Sequence, residues 1–342
     1  VTAGTLTEPE MLDERRPNYL AAVVIEGDRA GIAYAEISTG EFAVTQLSDG
    51  SAQEILALVR QELARLGPRE VLIPKVGSWK ERDSDDRGQR PEQTLEGTIA
   101  AVLTPWPGYR FEESAARQAL VEHFQVHTLQ GFGCEGKPLA IRAAGAALSY
   151  LQETQQGLLP QITGLHTYAT DRFMAIDAST WRNLEVTETL RQEKDGSLLG
   201  VLDQTVTPMG GRLLLKMLAQ PLLEITALEA RLDQVQGLAD HGVIRVKVRE
   251  QLKRVPDLER MTTRVLAQRA SPRDLEGIRT ALACVPALAE LLQGAGLESL
   301  LVGLTPVPEV LDLIIAAIVD EPPAQLSSGG LIRPGFSAEL DG

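Results

Sequence analysis

The run Gly131-Phe132-Gly133-Cys134-Glu135-Gly136-Lys137-Pro138 satisfies G-x-G-x-x-G and most of G-x-x-x-x-G-K-[ST], the two glycine patterns that cradle phosphates. It fails at the decisive position. A P-loop needs a hydroxyl after the lysine for magnesium and a backbone amide there for phosphate, and Pro138 supplies neither. No clear apolar strand precedes Gly131, so the run is expected to be a linker into a helix that carries proline in its first turn. His123 and His127 have the four-residue spacing of a helical metal pair. They lack an intervening glutamate and any third ligand apart from Cys134, so structural or exposed histidines are expected. No G-x-S-x-G elbow occurs, and two distant cysteines, Cys134 and Cys284, make neither a disulfide framework nor a four-ligand zinc pattern.

The elements that would position such groups divide the chain in two. Leu20 to Ile25, Ala30 to Ser38 and Glu41 to Leu47 read as three short strands, with turns at Gly27-Asp28 and Thr39-Gly40. Gln53 to Leu66 then places Ile55, Leu56, Val59, Leu63 and Leu66 on one helical face, closed by Gly67-Pro68. A fourth strand follows at Glu70 to Ile73. The charged stretch from Lys80 to Arg90 reads as a loop before a fifth strand near Ile99 to Leu103, and a helix follows over Glu112 to Phe124. After Pro138 the pattern turns helical. Leu139 to Thr154 is the first such helix, Tyr168 to Ile176 is extended, and a helix capped by Asp177 or Ser179 is expected to run through Leu190. Further helices are expected over Pro208 to Leu218, Glu224 to His241, Val243 to Arg254, Leu258 to Gln268, Pro272 to Gln293 and Val307 to Val319. In Glu224 to His241 the stripe Ile225, Leu228, Leu232, Val235 and Leu238 reads as core. The fold class is therefore α/β plus all-α, without a fixed-period repeat.

Three strands, a helix, a strand and a helix resemble a ribonuclease H-like fold, whose nucleases gather carboxylates around two metals. The first strand has no central acid, and Glu36 and Glu41 on neighbouring strands have no assured common cleft, so a surface or turn role is expected for both.

Composition narrows the function further. At 342 residues and 44% hydrophobic content the chain is long enough for about two domains, and a formal charge of −14 argues against this chain alone gripping a polyphosphate backbone, so that any DNA contact is expected to be local or to come from missing parts. The local exception runs from Arg245 through Lys247, Arg249, Lys253, Arg254, Arg260, Arg264 and Arg269 to Arg273, read as a solvated helix surface, with Arg245, Arg249 and Lys253 as candidate DNA-proximal positions. Val310 to Val319 is too short and too interrupted by Asp312 to cross a bilayer, and no leader opens the sequence, so no membrane role and a reduced cytoplasmic setting are expected. A start at Val1 without methionine and a stop at Gly342, just after a helix start at Phe336-Ser-Ala-Glu-Leu, lead to the expectation of a piece of a longer protein.

The stretch Leu202-Asp-Gln-Thr-Val-Thr-Pro-Met-Gly-Gly-Arg-Leu-Leu214 resembles the core-domain signature of the MutS family of DNA mismatch-repair proteins. Thr207 is placed to cap a helix that Pro208 opens, while Gly210 and Gly211 suggest close backbone packing. Other segments resemble that family in the same order: Val1 to Glu8 and Leu12 to Leu20 the junction after the mismatch-reading domain, Gly31 to Phe42 the connector, Asp177 to Val186 with Pro256 to Arg260 and Ser271 to Leu275 the core and lever, and Gly329 to Phe336 with Glu339 to Asp341 the entry to the long lever helix.

The resemblance implies a linker over residues 1–17, a ribonuclease H-like connector over 18–157 and a helical core and lever over 158–342, cut before the clamp. It implies a fragment without a catalytic, cofactor or metal site of its own. The parent is then an ATPase requiring ATP and magnesium, a homodimer through that missing ATPase domain, a binder of mismatched double-stranded DNA and a recruiter of MutL. Within the fragment, Asp203, Thr207, Pro208, Met209, Gly210 and Arg212 are candidate domain-coupling residues, with Arg212 able to pair across a domain boundary, and Arg117 and Gln118 are candidate partner contacts. The other readings are a standalone protein-interaction or weak DNA-binding module, a nuclease sensitive to Glu36→Gln, and a nucleotide enzyme sensitive to Lys137→Ala.

Overall fold

The strands and the first helix form where apolar alternation and turn residues ask for them. In the computed structural model, which describes residues 2–75, 95, 101–155, 157–191, 193–295 and 297–341, β1 is Leu20–Glu26, β2 Arg29–Glu36 and β3 Glu41–Leu47, an antiparallel meander in which Val23 faces Ile32 and Ile32 faces Thr45. Ser51 and Glu54 make a reciprocal capping box at the start of α1 (Ala52–Leu66), and Gly67 ends it in the left-handed region at φ 57°. β4 (Glu70–Pro74) then lies parallel to β1, and β5 (Val102–Trp106) parallel to β4. β5 begins later than expected; the predicted loop over 80–90 and the start of the predicted fifth strand lie outside the described residues. A sixth, two-residue strand, β6 (His166–Thr167), completes the order β5-β4-β1-β2-β3-β6.

Both faces of this mixed sheet are covered, which explains why β1 reads as one apolar run. Leu20, Ala22 and Val24 pack with residues of α2 (Glu113–Phe124) and α3 (Pro138–Gln155), while Tyr19, Ala21 and Val23 pack with Ile55, Val59 and Leu63 of α1. α3 lies so close to β2 that a Cβ on Gly31 would fall 2.1 Å from the Leu139 carbonyl carbon. A Cβ on Gly145 would fall 2.3 Å from Ala116 Cα, which brings α2 and α3 into similar proximity.

Two local expectations are corrected. The stretch expected to be extended, Tyr168 to Ile176, is interrupted by a 3-10 turn at Thr170–Arg172, with Ala169 and Phe173 extended on either side of it. The helix capped by Asp177 stops early: α4 is Ala178–Asn183, because Glu185 takes a positive φ of 48° and the Glu185 and Val186 carbonyls accept from the Leu198 and Leu199 amides. α5 (Leu198–Leu202) follows.

Compactness divides the chain into Val1–Leu202 with Leu215–Pro221, and Asp203–Leu214 with Leu222–Gly342. The second unit is helical. α6 (Pro208–Ala219) runs from it into residues of the first, followed by α7 (Ile225–Asp240), α8 (Gly242–Leu252), α9 (Leu258–Leu266), α10 (Pro272–Gln293), α11 (Pro308–Ala317) and the short α12 (Ala338–Asp341). Its small core gathers Ile278, Ile314 and Ile318 with Leu258, Met261 and Leu275. The stripe expected to be core on α7 faces solvent instead, with Ile225 at 68% and Leu232 at 65% exposure. Periodicity reports that a helix has an apolar face but not whether a neighbour covers it. Among the described residues no helix is long and apolar enough to cross a membrane.

Candidate functional site

The segment singled out by its residue types, Asp203 to Arg212, is held by its own polar groups. Asp203 Oδ1 accepts from the Thr205 amide at 3.2 Å and hydroxyl at 2.5 Å. Buried Thr207 accepts the Gly210 amide at 3.0 Å, capping α6. Pro208 and Met209 are half-buried in its first turn. Gly210 is small because of that cap: a Cβ there would fall 2.9 Å from Thr207 Oγ1.

Arg212, only 7% exposed, grips Asp257 with both terminal nitrogens at 2.7 Å and Glu259 at 2.6 Å. Burial alone would lower its pKa, but hydrogen bonds and charge from Asp257 and Glu259 more than offset that and raise it. The guanidinium is thus a permanent charge locked in a planar, bidentate pairing. Both acids belong to the helical unit, so Arg212 pairs inside that unit rather than across a boundary. Asp257 also caps α9 through the Arg260 amide at 3.3 Å. From α9, Arg264 reaches Asp274 through Nε at 3.1 Å, and Asp274 forms the capping box of α10 with Ser271. Burial would raise the Asp274 pKa, yet Arg264 and Ser271 hold it below the usual carboxylate range. The starts of α9 and α10 are therefore each joined to an arginine of another helix through the acid that caps them, where the helix dipole also favours a negative charge.

Arg249 extends this cluster toward α8, donating to the Gln204 carbonyl at 2.8 Å. Arg245 donates to the carbonyls of Leu238 and Ala239, and Lys253 pairs with Glu250 at 2.7 Å.

The α/β unit holds the other candidates. Arg117 pairs with Glu135 at 2.6 Å and lies 3.8 Å from Glu113, while Gln118 donates to Glu122 at 2.6 Å. Both sit on the outer side of α2, Arg117 half-buried and Gln118 exposed, and each is engaged with its own acid. Glu36 and Glu41 are cross-strand partners but have separate tasks. Glu36, buried, accepts from the Asn18 amide, Ser38 and Thr39, which is a turn role. Glu41 accepts from Tyr19 and Tyr34 at 3.1 Å each and from Lys216 at 2.6 Å. Burial first, then the Glu41 charge, pushes both tyrosines well above their usual range. No group of three or more metal-ligating side chains occurs among the described residues. His123 is engaged with the Ile162 carbonyl at 2.9 Å.

The glycine run forms a 3-10 turn at Gln130–Phe132 and a left-handed Gly133, and Glu135 accepts the Leu129 amide. A cavity of about 400 Å³ beside α1 is lined by Arg16, Arg65 and Lys216, but these cations already pair with Glu188, Glu62 and Glu41.

The partners of Arg212 escaped the sequence reading. Asp257 and Glu259 lie 45 and 47 residues further on, and the one available signal was an acid in cap position before a helix with a second acid in its first turn.

Comparison with known proteins matches these two parts separately. The family model for MutS domain II matches residues 18–163, and that for MutS domain III matches residues 179–339. Among curated relatives, the DNA mismatch repair protein MutS of Dehalococcoides mccartyi is 38% identical over 345 residues, covering 100% of this chain and 38% of the relative. That of Thermosynechococcus vestitus is 40% identical over 99% of this chain and 39% of its own length. That of Synechococcus elongatus is 43% identical over 100% and 38%. The chain thus spans less than two-fifths of the length of these relatives.

Proposed function

Because the chain belongs to the MutS family, carrying its domains II and III, we propose that it serves as the non-catalytic connector and lever of a longer mismatch-repair protein. In this reading residues 1–17 lead in from a mismatch-reading domain, residues 18–157 are a ribonuclease H-like connector and residues 158–342 are the helical core and lever. The parallel placing of β4 and β5 beside the antiparallel meander supports the connector assignment. The parent binds mismatched DNA as an ATP-dependent homodimer, with ATP and magnesium held by a domain outside this chain. This part carries strain between that ATPase and the DNA-gripping end.

The observation that carries the proposal is α6. Its Arg212 is bonded within the helical unit and its Lys216, four residues on, within the α/β unit, so the chain passes from one to the other along a single helix with a charged anchor in each. A helix held at both ends moves as a rigid lever, and discrete salt-bridge arrangements are the contacts that let such levers switch. The hydrogen bonds from the Thr205 amide to Asp203 and from the Gly210 amide to Thr207 stiffen the entry to that lever.

The connector also docks MutL, through the outer side of α2 at Arg117 and Gln118. Calorimetric titration of this chain with MutL of the same organism tests this. Saturable binding that weakens at least tenfold in Arg117→Glu with Gln118→Ala is the expected result. Binding unchanged by both substitutions removes α2 from the interface. Absence of heat with a folded chain removes the docking site from these two domains.

A further inference from the structure

The most cationic stretch of the chain runs from α8 through α9 to the start of α10. Residues 243–273 carry nine lysines and arginines against three acids, in a chain whose formal charge is −14. Two of those acids, Asp257 and Glu259, are taken up by Arg212, which comes from outside the segment. The third, Glu250, pairs with Lys253. Around α8 the other cations keep their full charge, because their partners are neutral. Arg245 donates to two backbone carbonyls, Arg249 to the Gln204 carbonyl and Arg254 to the Gln251 side chain. Lys247 is exposed and makes no ion pair among the described residues.

Spacing makes this charge usable. Arg245, Arg249 and Lys253, the last being the residue that ends α8, follow one another at four-residue intervals, about 6 Å along a helix axis, while Lys247 lies on the other side of the helix and Arg254 just past its end. A duplex presents phosphates continuously, one per about 3.4 Å of axis on each strand, so a row of cations at this interval meets several at once. The acids elsewhere in the chain are screened beyond a Debye length of roughly 10 Å at 0.1 M salt. Valines 243 and 246 are exposed on the same helix, but no aromatic residue occurs between 243 and 273, and protein interfaces depend on such anchors.

We propose that the exposed face of α8 is a sequence-independent contact site for the phosphate backbone of duplex nucleic acid. The site lies beyond the connector and lever role and stands on charge placement without it.

Fluorescence anisotropy with a labelled, fully paired 20-base-pair duplex tests the proposal on this chain. Binding at 50 mM KCl is expected, and three phosphate contacts predict an affinity about 40-fold weaker at 200 mM. Charge reversal by Arg245→Glu, Arg249→Glu and Lys253→Glu together is expected to weaken binding more than tenfold. Lys247→Glu with Arg254→Glu, which lies away from that row and leaves the Gln204 contact intact, is expected to weaken binding several-fold less than the triple reversal, with an unchanged thermal melt. A control matched for net charge, Arg29→Glu, Arg60→Glu and Arg172→Glu, is expected to stay within twofold. Duplex binding absent at 50 mM, or lost equally in the control, overturns the proposal. Binding of poly-glutamate without binding of duplex also overturns it and assigns the face to an acidic protein partner.

Discussion

Truncating Arg212 to alanine strands the two acids it holds. Asp257, with 15% of its side chain exposed, loses a bidentate partner at 2.7 Å, whereas Glu259 is half in solvent and loses little. Breaking a buried pair by removing one partner costs roughly 3–5 kcal/mol, and an exposed pair is worth at most about 1 kcal/mol. Arg260 stays 3.9 Å from Asp257 and offsets part of the stranded charge, which places the expected loss near 3 kcal/mol, the low end of that range. Asp257→Asn keeps an acceptor for the α9 cap, so the double mutant is expected to recover about 2 kcal/mol relative to additivity. Cys284 is buried in α10, inside the helical unit, and its labelling across a urea series, in a Cys134→Ala background, reads the stability of that unit alone. A loss below about 1 kcal/mol for Arg212→Ala, or additivity within about 0.5 kcal/mol, refutes the idea that this pairing fastens α6 to α9.

Other substitutions separate local from long-range effects. Thr207→Ala removes the α6 cap and is expected to cost about 1 kcal/mol, with faster hydrogen exchange confined to the Gly210 amide and its neighbours. Gly31→Ala forces α3 away from β2, because the added carbon meets Leu139 backbone at 2.1 Å, and is expected to cost about 3 kcal/mol in urea unfolding of the α/β unit.

Glu70 links acid sensitivity to the same unit. Burial would raise its pKa, but Thr104, Thr2, Tyr150 and the Gly4 amide donate to the carboxylate and hold it low. A depressed carboxylate stabilises the fold above its unfolded pKa, about 4.3, and that contribution is lost as pH falls through the folded value. The stability gap between the native chain and Glu70→Gln is therefore expected to narrow below about pH 4 in acid-urea titrations.

How much of this was legible in the chain depends on the range of the interaction concerned. Ser51 with Glu54, Ser271 with Pro272 and Asp274, and the alternation of β1 to β3 are local signals, and each marks an element within a residue or two of its place. α4 was overextended because its end is set by a positive φ at Glu185 and by hydrogen bonds from Leu198 and Leu199, which no apolar period encodes. Arg212 was identifiable as a candidate by its setting, yet its partners depend on the tertiary approach of α9. The α7 stripe carried a correct period and a wrong burial, since period alone does not say what a face meets.

The measurement that bears most directly on the lever reading is the ATP response of the full-length protein carrying Arg212→Met. The native protein is expected to release a mismatched duplex when ATP is added. The variant is expected to bind that duplex within twofold of the native affinity without nucleotide and to keep its basal ATP hydrolysis, while ATP-provoked release slows at least tenfold. A variant that is destabilised in urea yet releases DNA at the native rate contradicts the account, and leaves the Arg212 cluster as a packing feature of the helical unit.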